Sequence, residues 1–416
     1  MKILVVGGGG REHTLVWKLR QNKDVGEIHC APGNGGISEM AVCVPLSATD
    51  LGGIVDYAKK QAFDLVVVAP DDPLYMGMVD SLQSEGIRAF GPTAKAAEIE
   101  GSKAYAKRLM KKYGIPTAEY EVFSDFKSAC AYVERCPMPA VVKADGLALG
   151  KGVVICKTTA EAKAALEDMM VKKLFGNAGN SVVIEECLEG PEVSVLAFCD
   201  GNTILPMASA QDHKRVFDND MGPNTGGMGA FSPSPKYTDD IRREVEETII
   251  QRTLYALNQE GREFKGVIYF GLMLTKSGPK VLEYNARFGD PEAQVVLPRL
   301  KNDLVEVMNA VIDGRLSDIT LEWDERSAVC VVIASGGYPG KYNKGDLIEG
   351  LDDVSDAFVF HAGTVKSGGR YVTNGGRVLG ITALGNDIAE ARQKAYANVS
   401  KISFKGAQYR SDIGLK

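Results

Sequence analysis

Residues 2–6, Lys2-Ile3-Leu4-Val5-Val6, run straight into Gly7-Gly8-Gly9-Gly10-Arg11-Glu12-His13, and that junction limits the fold more than any other stretch. A short apolar run bounded by glycines reads as a buried strand, and Leu15, Val16 and Leu19 then mark one face of a helix. A strand, a glycine turn and a helix start form the first unit of a doubly wound parallel sheet, whose turn brings backbone N–H groups toward a phosphate. A dinucleotide fingerprint would need Gly-x-Gly-x-x-Gly and an acid after the second strand. Here Glu12 holds the third glycine position, and residues 27–30 run into Ala31-Pro32-Gly33 without an acid. A nicotinamide cofactor is therefore a poor fit. A sugar phosphate gripped by Gly8, Gly9, Gly10 and Arg11 fits better, beside the plain alternative of a tight turn. Residues 64–69 form a further buried strand ending at Pro70-Asp71-Asp72, where Asp71 can meet a ligand's hydroxyls or amine, or cap the next helix.

The chain has 416 residues, 45% of them hydrophobic, enough for about two to four domains. Its 48 Lys and Arg against 54 Asp and Glu leave a net charge of −6 with no long basic run, which argues against a nucleic-acid partner. No apolar run approaches the roughly 18 to 20 residues of a membrane span, so no membrane partner is expected and the protein belongs in the cytoplasm. The eight cysteines contain no Cys-x-x-Cys pair and read as reduced core residues.

Ser102 is placed to cap a helix over residues 103–113 that stops at Gly114, with Pro116 beyond. The strand 139–143 ends at Lys143 and leads through Ala144-Asp145-Gly146-Leu147-Ala148-Leu149-Gly150-Lys151-Gly152 into the strand 153–156. Strand, glycine-rich loop, strand is the shape of a lid, unlike a Walker A loop, which opens a helix. An ordinary hairpin reads the same way. The strand around Glu185 and Glu186 runs through Leu188 to Glu192, where acceptors and backbone groups can read an adenine edge and ribose hydroxyls. Gln211-Asp212-His213-Lys214-Arg215 concentrates charge just before the flexible Gly222-Pro223-Asn224-Thr225-Gly226-Gly227-Met228-Gly229, as a ligand-organising loop or a mobile surface would.

Residues 266–275 and 281–285 form two strands around the turn at 276–279, expected to pair antiparallel. On the second, Glu283 and Asn285 share a face two residues apart. Two hard oxygen donors side by side suit Mg²⁺, which takes one or two protein oxygens and completes its shell with water and phosphate. Arg287 has the same parity, and its fork can hold a phosphate or carboxylate. The run then turns at Gly289-Asp290-Pro291. From about residue 327 a smaller α/β unit follows, with Gly336-Gly337-Tyr338-Pro339-Gly340.

These motifs, in this order, resemble the phosphoribosylamine–glycine ligases (glycinamide ribonucleotide synthetases) of the ATP-grasp superfamily, and the resemblance runs the whole length of the chain. The Gln211–Arg215 and Gly222–Gly229 segments are specific to that family; the lid and the Glu283/Asn285 pair are shared more widely. It implies a multidomain α/β ATP-grasp ligase: an N-terminal Rossmann-like domain on the phosphoribosylamine side (1–102), an ATP-grasp domain (103–316, lid about 118–190) and a small C-terminal α/β domain (317–416). It implies further that ATP, glycine and 5-phosphoribosylamine give glycinamide ribonucleotide, ADP and phosphate through a glycyl phosphate. In the same way it assigns ATP to Lys103, Lys143, Gly150, Lys151, Gly152, Glu185, Glu186, Leu188 and Glu192, and Mg²⁺ or Mn²⁺ to Glu283 and Asn285. Substrate contacts fall to Gly8, Gly9, Gly10, Arg11, Asp71, Asp212, Arg215, Thr225, Gly226, Gly227, Arg287, Gly289, Asp290 and Pro291. Catalytic roles fall to Arg287, Lys143, Asp212, His213 and Lys214. A monomer is expected, in transient contact with the preceding enzyme of purine biosynthesis. Three positions depart from the family pattern: Asp71 stands for Glu, Leu149 for Ala and Asn219 for Gly. The rival readings are another carboxylate–amine ligase of the same fold and, more distantly, a non-catalytic nucleotide-binding protein.

Overall fold

The computed structural model describes residues 1–148 and 152–415. Its first sheet is parallel, with β1 (Lys2–Gly7) at the centre, β2 (Glu27–Pro32) and β3 (Val42–Cys43) on one side, and β4 (Leu65–Val68) and β5 (Ala89–Phe90) on the other. The strand order reverses between β1 and β4, which opens a crevice at their carboxyl ends. Gly8 to Arg11 and Asp71 lie on its two sides. Period-two alternation divides β1 between two cores. Leu4 and Val6 join one that includes Met110, Leu257 and Phe270; Ile3 and Val5 join another that includes Leu15, Leu304 and Met308. Both cores extend into the central unit, so the first sheet is packed into the molecule rather than tethered to it.

The helix Lys103–Tyr113 begins and ends as expected: the Ser102 hydroxyl accepts the Tyr105 N–H at 3.0 Å, and Gly114 closes it at φ +66°. Ala140–Ala144 and Val153–Cys156 pair antiparallel, as a lid hairpin requires, in a four-stranded sheet with Val182–Glu186 and Tyr120–Phe123. Leu149, Gly150 and Lys151, which separate these strands in sequence, lie outside the described residues. A second four-stranded sheet pairs Lys265–Thr275 antiparallel with Gly278–Asn285 and with Glu192–Asp200. A long helix made of Asp239–Val245 and Gln251–Gln259 passes through a wider π turn at Glu246–Ile250.

One arrangement has no counterpart in the sequence reading. Gln211–Asp212 and Gly229–Ser232 leave the central unit and join the sheet of Ser327–Ala334, Arg377–Gly385 and Phe358–His361. Between them, Arg215–Phe217 and Met221–Asn224 form a small ribbon. Its turn explains one family departure: Asn219 sits at φ +57°, left-handed backbone that glycine favours and asparagine tolerates. Asn219→Val should therefore cost about 1–2 kcal/mol, while Asn219→Gly leaves stability nearly unchanged. Thermal unfolding of the two variants checks this, and equal midpoints would show that the turn carries no such demand.

Candidate active site

Glu283 and Asn285 lie on one face of their strand, while Tyr284 turns the other way and hydrogen-bonds Thr253 Oγ1 at 2.9 Å. Gly271 is Glu283's partner on the neighbouring strand, and a Cβ there would come within 3.0 Å of Glu283 Cγ. The glycine leaves the carboxylate its space. Burial alone would raise the Glu283 carboxyl, but Lys214, Lys143, Lys103 and Arg287 together hold it below the usual range. Lys214 Nζ is 3.5 Å from Glu283 and 2.8 Å from Glu192. Asp212, on the same face as Lys214, is pushed up by burial and by the neighbouring acids Glu292, Glu192 and Glu283, against the pull of Lys214.

Each of these cations has a second partner. Lys143 donates to the Leu282 carbonyl at 3.1 Å and pairs with Glu185 at 3.0 Å. Lys107 pairs with the same Glu185 oxygen at 3.0 Å, and burial lowers its ammonium to about 8. The other Glu185 oxygen is buried without a hydrogen-bond partner among the described residues, which leaves it available to a ligand's donor. Lys103 donates to the Gly146 carbonyl at 3.1 Å. Glu186 faces solvent, paired with Lys280 at 2.9 Å, while Leu188 is part-buried in the connection that follows. Gly152 packs on Ala148 and Ala144, leaving no room for a side chain.

Arg287 reaches back to the first sheet. Its Nη2 is 3.1 Å from Glu100 Oε1 and 3.5 Å from Asn285 Oδ1, and its Nη1 donates to the Phe288 carbonyl at 3.2 Å. Glu100 Oε2 accepts the Ala286 N–H at 2.7 Å. Burial raises the Glu100 carboxyl to about 7, against the pull of Arg287. Asp71 is part-buried; desolvation alone would raise its carboxyl, but Arg287 and Arg11 hold it below its usual range. The sequence reading missed Glu100. Its one signal was a carboxylate on the buried face of the helix Ala94–Gly101, three and four residues after Ala97 and Ala96.

Asp290 joins three parts of the chain. Its carboxylate accepts from Gln294 Nε2 at 2.8 Å, lies 3.3 Å from Arg377 Nη2, and takes a long 3.4 Å bond from the Arg11 N–H. Arg377, also missed, donates to the carbonyls of Gly226 at 2.5 Å and Asp290 at 2.7 Å. A Cβ on Gly226 would sit 3.0 Å from that guanidinium, and one on Gly227, at φ +110°, would strike Pro291. Thr225 Oγ1 bridges the Lys214 carbonyl at 2.8 Å and the Gly227 N–H at 2.9 Å. Gly289 backs onto Glu292, whose carboxylate accepts from Tyr269 at 3.0 Å.

Two expectations change. Glu12, not a ligand, takes the Gly9 N–H and the Arg11 Nε, both at 2.6 Å, and Arg11 Nη1 goes to the Phe288 carbonyl at 3.2 Å, so the turn expected to grip a phosphate is partly satisfied from within. A Cβ on Gly10 would come within 2.6 Å of Gln294 Nε2, and one on Gly8 would collide with the Gly33 carbonyl. His213 does not join Lys214. Alternation along this extended segment sends it to the opposite face, beside Phe231 and near Arg410 and Asp412, where burial lowers it to about 4 and neither ring nitrogen has a hydrogen-bond partner among the described residues. Arg215 donates to the Gly222 carbonyl at 2.6 Å, holding the ribbon.

Models of the phosphoribosylglycinamide synthetase N domain, ATP-grasp (A) domain and C domain match residues 1–100, 101–293 and 328–416. This chain belongs to the phosphoribosylglycinamide synthetase family. The chain is 52% identical to the phosphoribosylamine–glycine ligase of Halalkalibacterium halodurans over 417 residues, covering all of this chain and 97% of that one. The solved phosphoribosylamine–glycine ligase of Thermotoga maritima superposes with a TM-score of 0.86 at 34% identity, covering 99% of this chain and all of that one. The chain also shares its fold with the biotin carboxylase domain of Hydrogenobacter thermophilus 2-oxoglutarate carboxylase, solved with MgADP and bicarbonate. That match has a TM-score of 0.76 at 16% identity and covers 98% and 91% of the two chains.

Proposed function

We infer that this chain catalyses the ATP-dependent joining of glycine to 5-phosphoribosylamine. It is a ligase of purine biosynthesis, and the products are glycinamide ribonucleotide, ADP and phosphate. The observation that carries the reading is the convergence of Glu283, Asn285 and four cationic side chains beside the crevice of the first sheet.

A glycine carboxylate is a poor electrophile, so it must first be activated. Its oxygen attacks the terminal phosphorus of ATP, ADP departs, and a glycyl phosphate forms. The amine of phosphoribosylamine then attacks the acyl carbon; phosphate leaves, and the amine gives up a proton. Phosphoryl transfer depends on positioning and charge neutralisation more than on a nucleophile. In this reading Lys143 and Lys103 hold ATP's phosphates, and Gly152 belongs to the same ATP-binding side. Glu185, Glu186, Leu188 and Glu192 take the adenine and ribose side. Lys214 and Arg287 face the glycine carboxylate and the transferring phosphoryl group, with Asp212 beside them. Gly8, Gly9, Gly10, Arg11, Asp71, Gly226, Gly227 and Asp290 line the phosphoribosylamine side.

The donor set at Glu283 and Asn285, one carboxylate and one amide, fits an ion that completes its shell with water and phosphate oxygens, as Mg²⁺ or Mn²⁺ does. Such an ion, when bound, neutralises phosphate charge during transfer. No helix among the described residues is long and apolar enough to cross a membrane. A cytoplasmic monomer, meeting the preceding pathway enzyme transiently, completes the reading.

The test is ADP release with Mg²⁺-ATP, glycine and freshly generated phosphoribosylamine, each omitted in turn. Release that needs all three is the expected result. Release that needs phosphoribosylamine but is indifferent to glycine would assign the chain to a sister ligase with another carboxylate substrate.

A further inference from the structure

Arg287 is part-buried, and its Nε is shielded from solvent with no hydrogen-bond partner among the described residues. The rest of its fork is occupied: Nη1 by the Phe288 carbonyl, Nη2 by Glu100 and, at longer range, Asn285. A part-buried guanidinium whose shielded Nε lacks an acceptor is arranged for an acceptor that arrives with a ligand. Glu100 is the group that sets this arrangement. It is 8% exposed and sits at the end of a helix from the first sheet's side of the molecule, and it commits one oxygen to Arg287 and the other to the main-chain N–H of Ala286. One carboxylate thus holds both the side chain of Arg287 and the backbone just before it. Asp71 adds a second negative charge from the same side.

We propose that Glu100 is a positioning residue of the ligation reaction, fixing Arg287 and the strand end beside Glu283 and Asn285 so that the free edge of the fork meets the reacting carboxylate or phosphoryl oxygens. The proposal rests on the role given above to Arg287. It also makes the site dependent on the docking of the first unit, since Arg287 takes its orientation from a residue outside the central sheet.

The experiment is steady-state kinetics on the full chain for Glu100→Gln, Arg287→Gln and the double variant, with thermal midpoints for each. Glutamine at 100 keeps an oxygen for the Ala286 N–H but loses the charge that orients Arg287. Turnover should fall on the order of tenfold to a hundredfold, with KM for ATP changing by less than about threefold. The double variant should be no slower than Arg287→Gln alone, because Glu100 acts through Arg287. Glu100→Asp, which keeps the charge on a shorter arm, should recover part of the loss and covers the case in which Glu100→Gln does not fold. Wild-type turnover in Glu100→Gln, losses that multiply in the double variant, or an aspartate no better than glutamine would each overturn the proposal. Wild-type turnover in Arg287→Gln would instead remove the role assigned to Arg287, so the two failures are told apart.

Discussion

Glu283→Gln should lower turnover by about a hundredfold or more while leaving the fold intact. The substitution removes one of the two oxygen donors proposed for the metal and a carboxylate on which Lys214, Lys143, Lys103 and Arg287 converge. The loss of that shared anion does not strand the cations. Lys214 keeps Glu192 at 2.8 Å, Lys143 keeps Glu185 at 3.0 Å, Arg287 keeps Glu100 at 3.1 Å, and Lys103 keeps the Gly146 carbonyl at 3.1 Å. Activity and stability should therefore separate. ADP release measured beside a thermal melt shows both, and full activity in the variant would end the metal role given to Glu283.

The largest effect on stability is expected from Asp412→Ala. Arg410 is completely buried, and Asp412 meets it with two bonds of 2.7 Å, while the half-exposed Asp220 adds a third contact at 2.9 Å. Without Asp412 the guanidinium stays in the interior with an incomplete counter-charge, a loss of about 3–5 kcal/mol. The Asn219 N–H, bonded to Asp412 at 2.9 Å, loses its acceptor as well. Burial would raise the Asp412 carboxyl, but Arg410 and the Asn219 N–H hold it well below its ordinary 3.8. A depressed folded-state value means the contribution is complete above the unfolded carboxyl's titration near pH 4 and fades only as pH falls further. Wild type and variant should thus differ fully in denaturant midpoint at neutral pH and converge under strong acid. A difference that persisted unchanged at pH 2 would assign the effect to packing instead.

Local rules made much of this molecule readable from its residues. The parity of Glu283, Asn285 and Arg287, the Ser102 and Gly114 caps and the hairpin flanking the lid each depend on neighbours a few positions away. The site's remaining parts depend on distance in the chain. Glu100 lies in an unremarkable helix, Lys107 on another, and Arg377 at the start of a late strand; only the fold brings them to Arg287, Glu185 and Asp290. His213 shows the opposite error. It shares a motif with Lys214, but a strand gives alternate residues opposite faces, so adjacency in sequence became separation in space. The glycine turn at 7–10 was legible as a turn, but Glu12's occupation of it was not, because that depends on a side chain folding back onto its own helix start.

The crossing of Gln211–Asp212 and Gly229–Ser232 into the sheet of Ser327–Ala334 bears on how the enzyme is made. On a ribosome, Glu283, Asn285 and Arg287 emerge after Lys214 but before the strand against which Lys214's own arm is built. The nascent chain therefore passes through a stage in which the metal donors exist and the arm beside them has no neighbour to pair with. A gene split between these two regions would have to deliver both products together, since the sheet that joins them is completed by neither alone.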